Sequence, residues 1–361
     1  MHPFRKLLLI SLGKETSFAK TPSRADWVTL HRAARHQTLL GVLYDAAAGL
    51  PEEQRPPEEM LAEWKSSAEK IAAVHARHCR EAEEIARMLS EVGLEGILLK
   101  GTGLAALYPA PSKRMCGDID VWVRKPRNET LEALRGRWRV HGVLYQECKA
   151  SMLPGTVVEI HFHPTKMCNP FLNARLQRTL ERLAPPTQAG TLAVPGAEFN
   201  AVFCLAHMLR HYLESGLGLR QMMDYNYVLK TLPEERRESV IETVKRLGMK
   251  KFAAGTMYVL QRAFGLEDGY LLCPADPSMG KRMMEEILRK GNFGVRDSSS
   301  RGHAGESGWR RFLRKNRRTL RHLRDCPREV VWSPASRVVQ FLWKKTKKKL
   351  YRSYENCNFA L

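Results

Sequence analysis

The chain has 361 residues, 43% of them hydrophobic, and a formal net charge of +21 at pH 7. That leaves room for one large domain or two ordinary ones, and the composition is too apolar for disorder. Eight cysteines, none in a Cys-x-x-Cys spacing, exclude a zinc ribbon or a thioredoxin-type site and fit reduced thiols in a cytoplasm.

The apolar run near the start, within Met1 to Leu12, is shorter than the roughly 7–15 residues of a secretory signal. No stretch reaches the roughly 18 apolar residues of a membrane span. A soluble, cytoplasmic protein is therefore expected. Residues 27–50 space Trp27, Leu30, Ala34, Leu39 and Leu43 as helices do, with Gly41 as a break and Gly49 as the close. Pro56-Pro57-Glu58-Glu59 opens a long helix, with proline in the first turn and acids at the positive end of the dipole. It is predicted to run to Val92, with Gly93 as terminator and Trp64, Ile71, Ile85 and Leu89 in its buried stripe. Residues 1–93 thus read as a helical N-terminal layer.

An α/β core is expected over 94–190. Ile97 to Leu99 reads as a strand, Lys100-Gly101-Thr102 as a turn into a short helix, and a Pro-rich loop then carries Arg114. The next strand bears Asp118 and Asp120 on one face, while Ile119, Val121 and Val123 point into a core. Paired acids repel and lose hydration unless a cation sits between them, and Mg²⁺ is the ordinary one. Asn128 is expected to cap a helix from Glu129 to about Val140. Residues 143–149 and 156–163 read as two strands joined at Pro154-Gly155. Alternation in the second puts Glu159, His161 and His163 opposite Val158, Ile160 and Phe162.

From Phe199 the pattern is helical again. His207 and His211 stand four apart on one helix, and Arg220 and Asp224 four apart on the next. Further helices fill 233–290, and Gly291-Asn-Phe-Gly294 closes a C-terminal helical part spanning 191–295. Arg296 to Gly308 reads as a Ser/Gly loop, and Trp309 to Arg352 as a basic helical tail. Residues 301–361 hold 17 Lys/Arg against 4 Asp/Glu, a net +13 of the +21.

The Lys100-Gly101 turn, Arg114 ahead of Asp118-x-Asp120, and Glu159-x-His161 resemble elements of the bacterial "nucleotidyltransferase family protein" group. The resemblance covers about residues 25–295, and the acids on neighbouring strands resemble the polymerase-β-like layout. It implies an α+β fold: a small mixed sheet of that type wrapped by N- and C-terminal helices. It implies transfer of a nucleoside monophosphate from an NTP such as ATP to a hydroxyl-bearing acceptor, with pyrophosphate released. A sugar, a metabolite, a peptide and a protein side chain all remain open as acceptor. By the same resemblance, Asp118 and Asp120 would bridge two Mg²⁺ or Mn²⁺ ions, and Glu159 would hold the catalytic one. Lys100, Gly101 and Thr102 would take the triphosphate, and Arg114 its γ-phosphate. His161 would orient Glu159 or touch the nucleotide, and Arg220 with Asp224 would wall the pocket.

Plainer readings stand beside these. Arg114 can pair with Asp118, and Arg220 with Asp224 as an exposed-type i,i+4 pair worth a few tenths of a kcal/mol. His207 and His211 can be core histidines bonded to Asp224 or the backbone. The Glu159, His161 and His163 face has the donors for Zn²⁺, but neighbouring aspartates favour a harder ion. The basic tail reads as ordinary helix surface, as a contact with anionic membrane, or as a nucleic-acid contact. Phe341, Leu342 and Trp343 beside lysines favour membrane over nucleic acid. Two rival functions remain: a non-catalytic scaffold of the same fold docking through this tail, and an enzyme extending nucleic-acid 3′ ends.

Overall fold

The structure, a computed structural model, describes residues 2–292 and 306–355. Six strands form one mixed sheet: β1 (Gly96–Leu98), β2 (Ile119–Val123), β3 (Val140–His141), β4 (Glu147–Leu153), β5 (Thr156–His161) and β6 (Leu192–Ala193). Their spatial order is β3-β4-β5-β2-β1-β6. β2 runs antiparallel to β1 and parallel to β5, and β4 and β5 form a hairpin that turns through Gly155 at φ 72°.

Strand alternation divides the sheet's two faces. Ile119, Val121, Val158 and Ile160 enter one apolar core with Leu131 and Leu134 of the helix Arg127–Arg135 and with Ile85 and Leu89 of the long helix Glu58–Glu91. Trp122 leaves by the other face into a second, larger core and stacks 6.0 Å from Phe199. That core is continuous from Phe4, Leu7 and Leu8 through Trp27 and Trp64 to the helices Ala197–Glu214, Leu219–Thr231, Lys250–Phe264 and Pro277–Lys290. Trp64 is fully buried, and its indole N–H donates to the Leu40 carbonyl at 2.8 Å, so no polar group is stranded with it.

The long helix runs Glu58–Glu91 and stops before Gly93, whose φ of 70° no β-carbon-bearing residue adopts cheaply. Gly41 is not a break: it lies inside the helix Leu40–Ala48. A β-carbon there would stand 2.2 Å from the Lys113 carbonyl oxygen, so glycine lets this helix touch the loop that leads into β2. The helix expected from Glu129 to Val140 instead spans Arg127–Arg135. Pro126 precedes it as cap, and Val140 belongs to β3. The strand expected at 143–149 begins later, at Glu147, and continues to Leu153. Elements that carried no expectation include β3, β6 and the helix Pro170–Leu183, capped by the Asn169 side chain accepting from the Phe171 and Leu172 amides.

After Asn292 the expected Phe293-Gly294 close, and residues 296–305 of the Ser/Gly loop, lie outside the described residues. The tail then forms the helices Gly308–Leu320, Pro327–Val330 and Ser333–Glu355. Among the described residues no helix is long and apolar enough to cross a membrane.

Candidate functional site

Parallel pairing of β2 with β5 sets Asp120 opposite Glu159 and Trp122 opposite His161. Both acids therefore emerge on the face that the buried valines and isoleucines leave free. Asp120 Oδ1 lies 2.8 Å from Lys100 Nζ and 2.8 Å from His161 Nε2. Glu159 Oε1 lies 3.2 Å from Lys149 Nζ. Ligand atoms of Asp120, Glu159 and His161 all fall within 4.8 Å of one another, close enough to share one ion. Burial alone would push the Asp120 carboxyl up, but the Lys100 charge and the His161 bond outweigh it and hold it below the usual carboxylate range. Glu159 goes the other way: burial first, then the charges of Asp120 and Glu147, raise it.

These groups form the floor of a cleft of about 390 Å³. Lys100, Gly101, Arg114, Asp118, Arg220 and Asp224 line it as well, so nearly all the residues singled out from sequence converge. Asp118 is exposed, just before β2, and stands outside the three-residue cluster. Gly101 takes φ 60° and ψ −123°, a conformation reserved for glycine, and turns β1's extension into the four-residue helix Thr102–Ala105. Thr102 opens that helix and is not among the residues lining the cleft.

Arg114 is 3% exposed and is held by Asp224, not by Asp118. Its Nε and Nη2 donate to the two Asp224 oxygens at 2.7 and 2.8 Å, and its Nη1 donates to the Gly101 carbonyl at 3.0 Å. The Tyr108 hydroxyl donates to Asp224 Oδ1 at 2.6 Å. Arg220 donates to the Met115 carbonyl at 2.8 Å, so Asp224 serves Arg114 and Arg220 serves the loop. Burial and the Asp224 charge push the Tyr108 hydroxyl well up, and Asp224 overcomes burial to raise Arg114 further. The whole assembly ties the 108–118 loop to the helix Leu219–Thr231.

His207 and His211 also line the cleft, bonded to each other (Nε2 to Nε2, 2.9 Å) and, through His211 Nδ1, to Ser215 Oγ at 2.7 Å. The expected bond to Asp224 is replaced by this pair. Burial drives His207 well down and His211 to about 3, so both rings are neutral near pH 7. His163 leaves the site: it lies beyond the end of β5 and stacks 5.6 Å from Tyr145. A Glu159, His161 and His163 zinc face is thus not assembled.

Two charged cleft residues escaped the sequence reading. Glu147 faces His161 across the β4–β5 hairpin, with its Oε2 3.8 Å from His161 Nδ1, and would have followed from placing β4 correctly. Arg210 lines the cleft from the helix Ala197–Glu214, one turn from His207, where nothing in the spacing marks it.

A mixed sheet carrying two carboxylates and an imidazole within reach of one ion, below a rim of lysine and arginine, defines a metal-capable cleft suited to phosphorylated ligands. No curated protein and no solved structure matches the chain. The sequence pattern of a family described as "uncharacterised nucleotidyltransferase" does match, over residues 23–265, and the chain belongs to that family.

Proposed function

We propose that the protein moves a nucleoside monophosphate from an NTP to a hydroxyl-bearing acceptor, in the two-metal manner of polymerase-β-like nucleotidyltransferases. The observation that carries this is the Asp120, Glu159 and His161 cluster on paired parallel strands, in a chain of nucleotidyltransferase family. Two carboxylates and an imidazole fit Mg²⁺ or Mn²⁺, the nitrogen donor suiting Mn²⁺ better. Asp120 and Glu159 would hold the ion, with Asp118 at the rim as the further carboxylate. When bound, such ions neutralise charge on the reacting phosphate oxygens.

The protein's own groups do the rest. Lys100, now on Asp120, swings to the triphosphate, beside the glycine turn whose lack of a β-carbon lets phosphate approach the backbone. Arg220 and Arg210 add positive charge at the same wall. Arg114 and Asp224 touch no substrate in this account; they hold the loop that presents Asp118. Glu159, paired with Asp120 across the two strands, would take the acceptor's hydroxyl proton on its carboxylate. The neutral His207–His211 pair offers the base or acceptor an uncharged polar surface.

Calorimetric titration of each NTP, with and without Mg²⁺, into the wild type and into Asp118→Ala/Asp120→Ala tests the reading. Metal-dependent binding is expected in the wild type and lost in the variant. Should no NTP bind the wild type with either Mg²⁺ or Mn²⁺, the enzyme reading fails. Labelled NTP then sorts sugars, peptides, proteins and oligonucleotides as acceptors.

A further inference from the structure

The tail helices are built inside out. Ser333–Glu355 turns Arg337 toward the body, where its guanidinium bonds Asn316 Oδ1 and Thr319 Oγ1 of the helix Gly308–Leu320. Trp343 is also turned inward, edge-on to Tyr145 at 6.2 Å and 5.1 Å from the Arg127 guanidinium. Fastened this way, the helix presents Val338, Val339 and Phe341 to water, the last two 60% and 64% exposed. Gly308–Leu320 does likewise, with Trp309 67% and Leu313 49% exposed. Helices fastened to the protein through a few buried polar groups, with large apolar side chains left outward among exposed charges, have a hydrophobic partner elsewhere.

Charge says what kind of partner. The described acids of this layer all turn inward. Asp325 is buried between Arg282 and Lys251, Glu329 is buried against the Cys168 and Asn169 amides, and the Glu306 side chain is 8% exposed against Arg314. Arg310, Arg311, Arg317, Arg321, Arg324 and Arg328 are exposed. The exposed charge of this layer is thus almost wholly positive, and the same layer exposes Val, Leu, Phe and Trp side chains.

We propose that residues 308–345 form a docking surface for an anionic lipid bilayer, the apolar side chains entering the headgroup–acyl boundary and the arginines meeting lipid phosphates. Nucleic acid would use the arginines, but Val338, Val339 and Leu313 offer it nothing to stack on or bond. A bilayer uses both sets at once. The proposal stands independently of the reaction assigned to the cleft.

Full-length protein is sedimented with phosphatidylcholine vesicles with and without phosphatidylglycerol, beside Val339→Asn/Phe341→Asn, which removes apolar contact and leaves charge unchanged. Both positions are exposed, and circular dichroism with a thermal melt checks that the variant is folded. The wild type is expected to bind the anionic vesicles, less so in high salt, and to leave the neutral ones free; the variant should bind about tenfold more weakly. Failure of the wild type on anionic vesicles overturns the proposal. Binding undiminished in the variant and competed by oligonucleotide would make the surface a polyanion site. A wild-type dimer in light scattering that the variant abolishes would make the occupant a second copy of the chain.

Discussion

Lys100 Nζ and His161 Nε2 both lie 2.8 Å from the same atom, Oδ1 of Asp120, on the carboxylate that the proposed function gives to a divalent ion. On that reading the Lys100 ammonium competes with the ion and would have to leave before it binds. Lys100→Met keeps the stem and removes the charge. It is expected to tighten Mn²⁺ binding without nucleotide by about tenfold, some 1.4 kcal/mol, while weakening NTP binding by at least as much. Electron-spin-resonance titration of Mn²⁺ beside nucleotide calorimetry reads both. Metal affinity that stays unchanged would mean that Lys100 does not contest the site. At this scale sequence was informative where chemistry follows from alternation: Asp120, Glu159 and His161 share a face because strand parity puts them there. It was uninformative where a partner comes from afar. Asp224 stands 110 residues from Arg114, and no periodicity links a loop to a distant helix.

The Arg114–Asp224 pair shows what a single contact does for an element. Two buried charges with four hydrogen bonds hold a loop that has no regular structure of its own beyond a short turn at Pro111–Lys113. Removing one partner strands the other, so Arg114→Ala or Asp224→Ala is expected to lose about 3–5 kcal/mol in urea unfolding. The apolar double replacement Arg114→Met/Asp224→Leu should lose clearly less than the two singles summed. Additive losses would show that the two side chains act separately. Glu329 plays a similar part for the helix Pro170–Leu183, accepting from the Cys168 and Asn169 amides just ahead of it. Burial, against the pull of those two amides, raises it to about 7. The folded chain therefore retains a proton that the unfolded chain releases above the ordinary glutamate value of 4.5, and stability falls as pH rises from there to about 7. Glu329→Gln should flatten that slope in melting curves across the window; parallel curves for the two proteins would remove Glu329 as its source. The element boundaries that sequence misplaced have local causes. Pro126 fixed a helix start two places earlier than a cap at Asn128 implies, and a β-bulge between Ala150 and Leu153 stretched β4 beyond a simple alternation.

Over the whole molecule, the larger core is the feature that periodicity could not deliver, because amphipathic helices reveal that they bury a face and not against what. The N-terminal and C-terminal helices share that core across the outer face of the sheet. The family match begins at residue 23, yet the helix His2–Ser11 before it is packed in: Leu7 and Leu8 are fully buried, and Arg5 Nε donates to the Arg262 carbonyl at the end of Lys250–Phe264. Lys14 adds a 2.6 Å bond to the Gly265 carbonyl and an ion pair with Glu267. The helix His2–Ser11, docked on Lys250–Phe264, is expected to unfold together with it. Leu8→Ala should therefore cost about 2–5 kcal/mol, as truncation at a closed core site does. The loss should appear equally in the fluorescence of a protein that keeps Trp27 and Trp64 and has its other five tryptophans replaced by Phe, and in far-ultraviolet dichroism, which reports all the helices. Coincident curves shifted together mean one cooperative unit over residues 2–292. If the fluorescence midpoint fell while dichroism kept a second transition at the wild-type position, the N-terminal helices would fold apart from the sheet and the cleft.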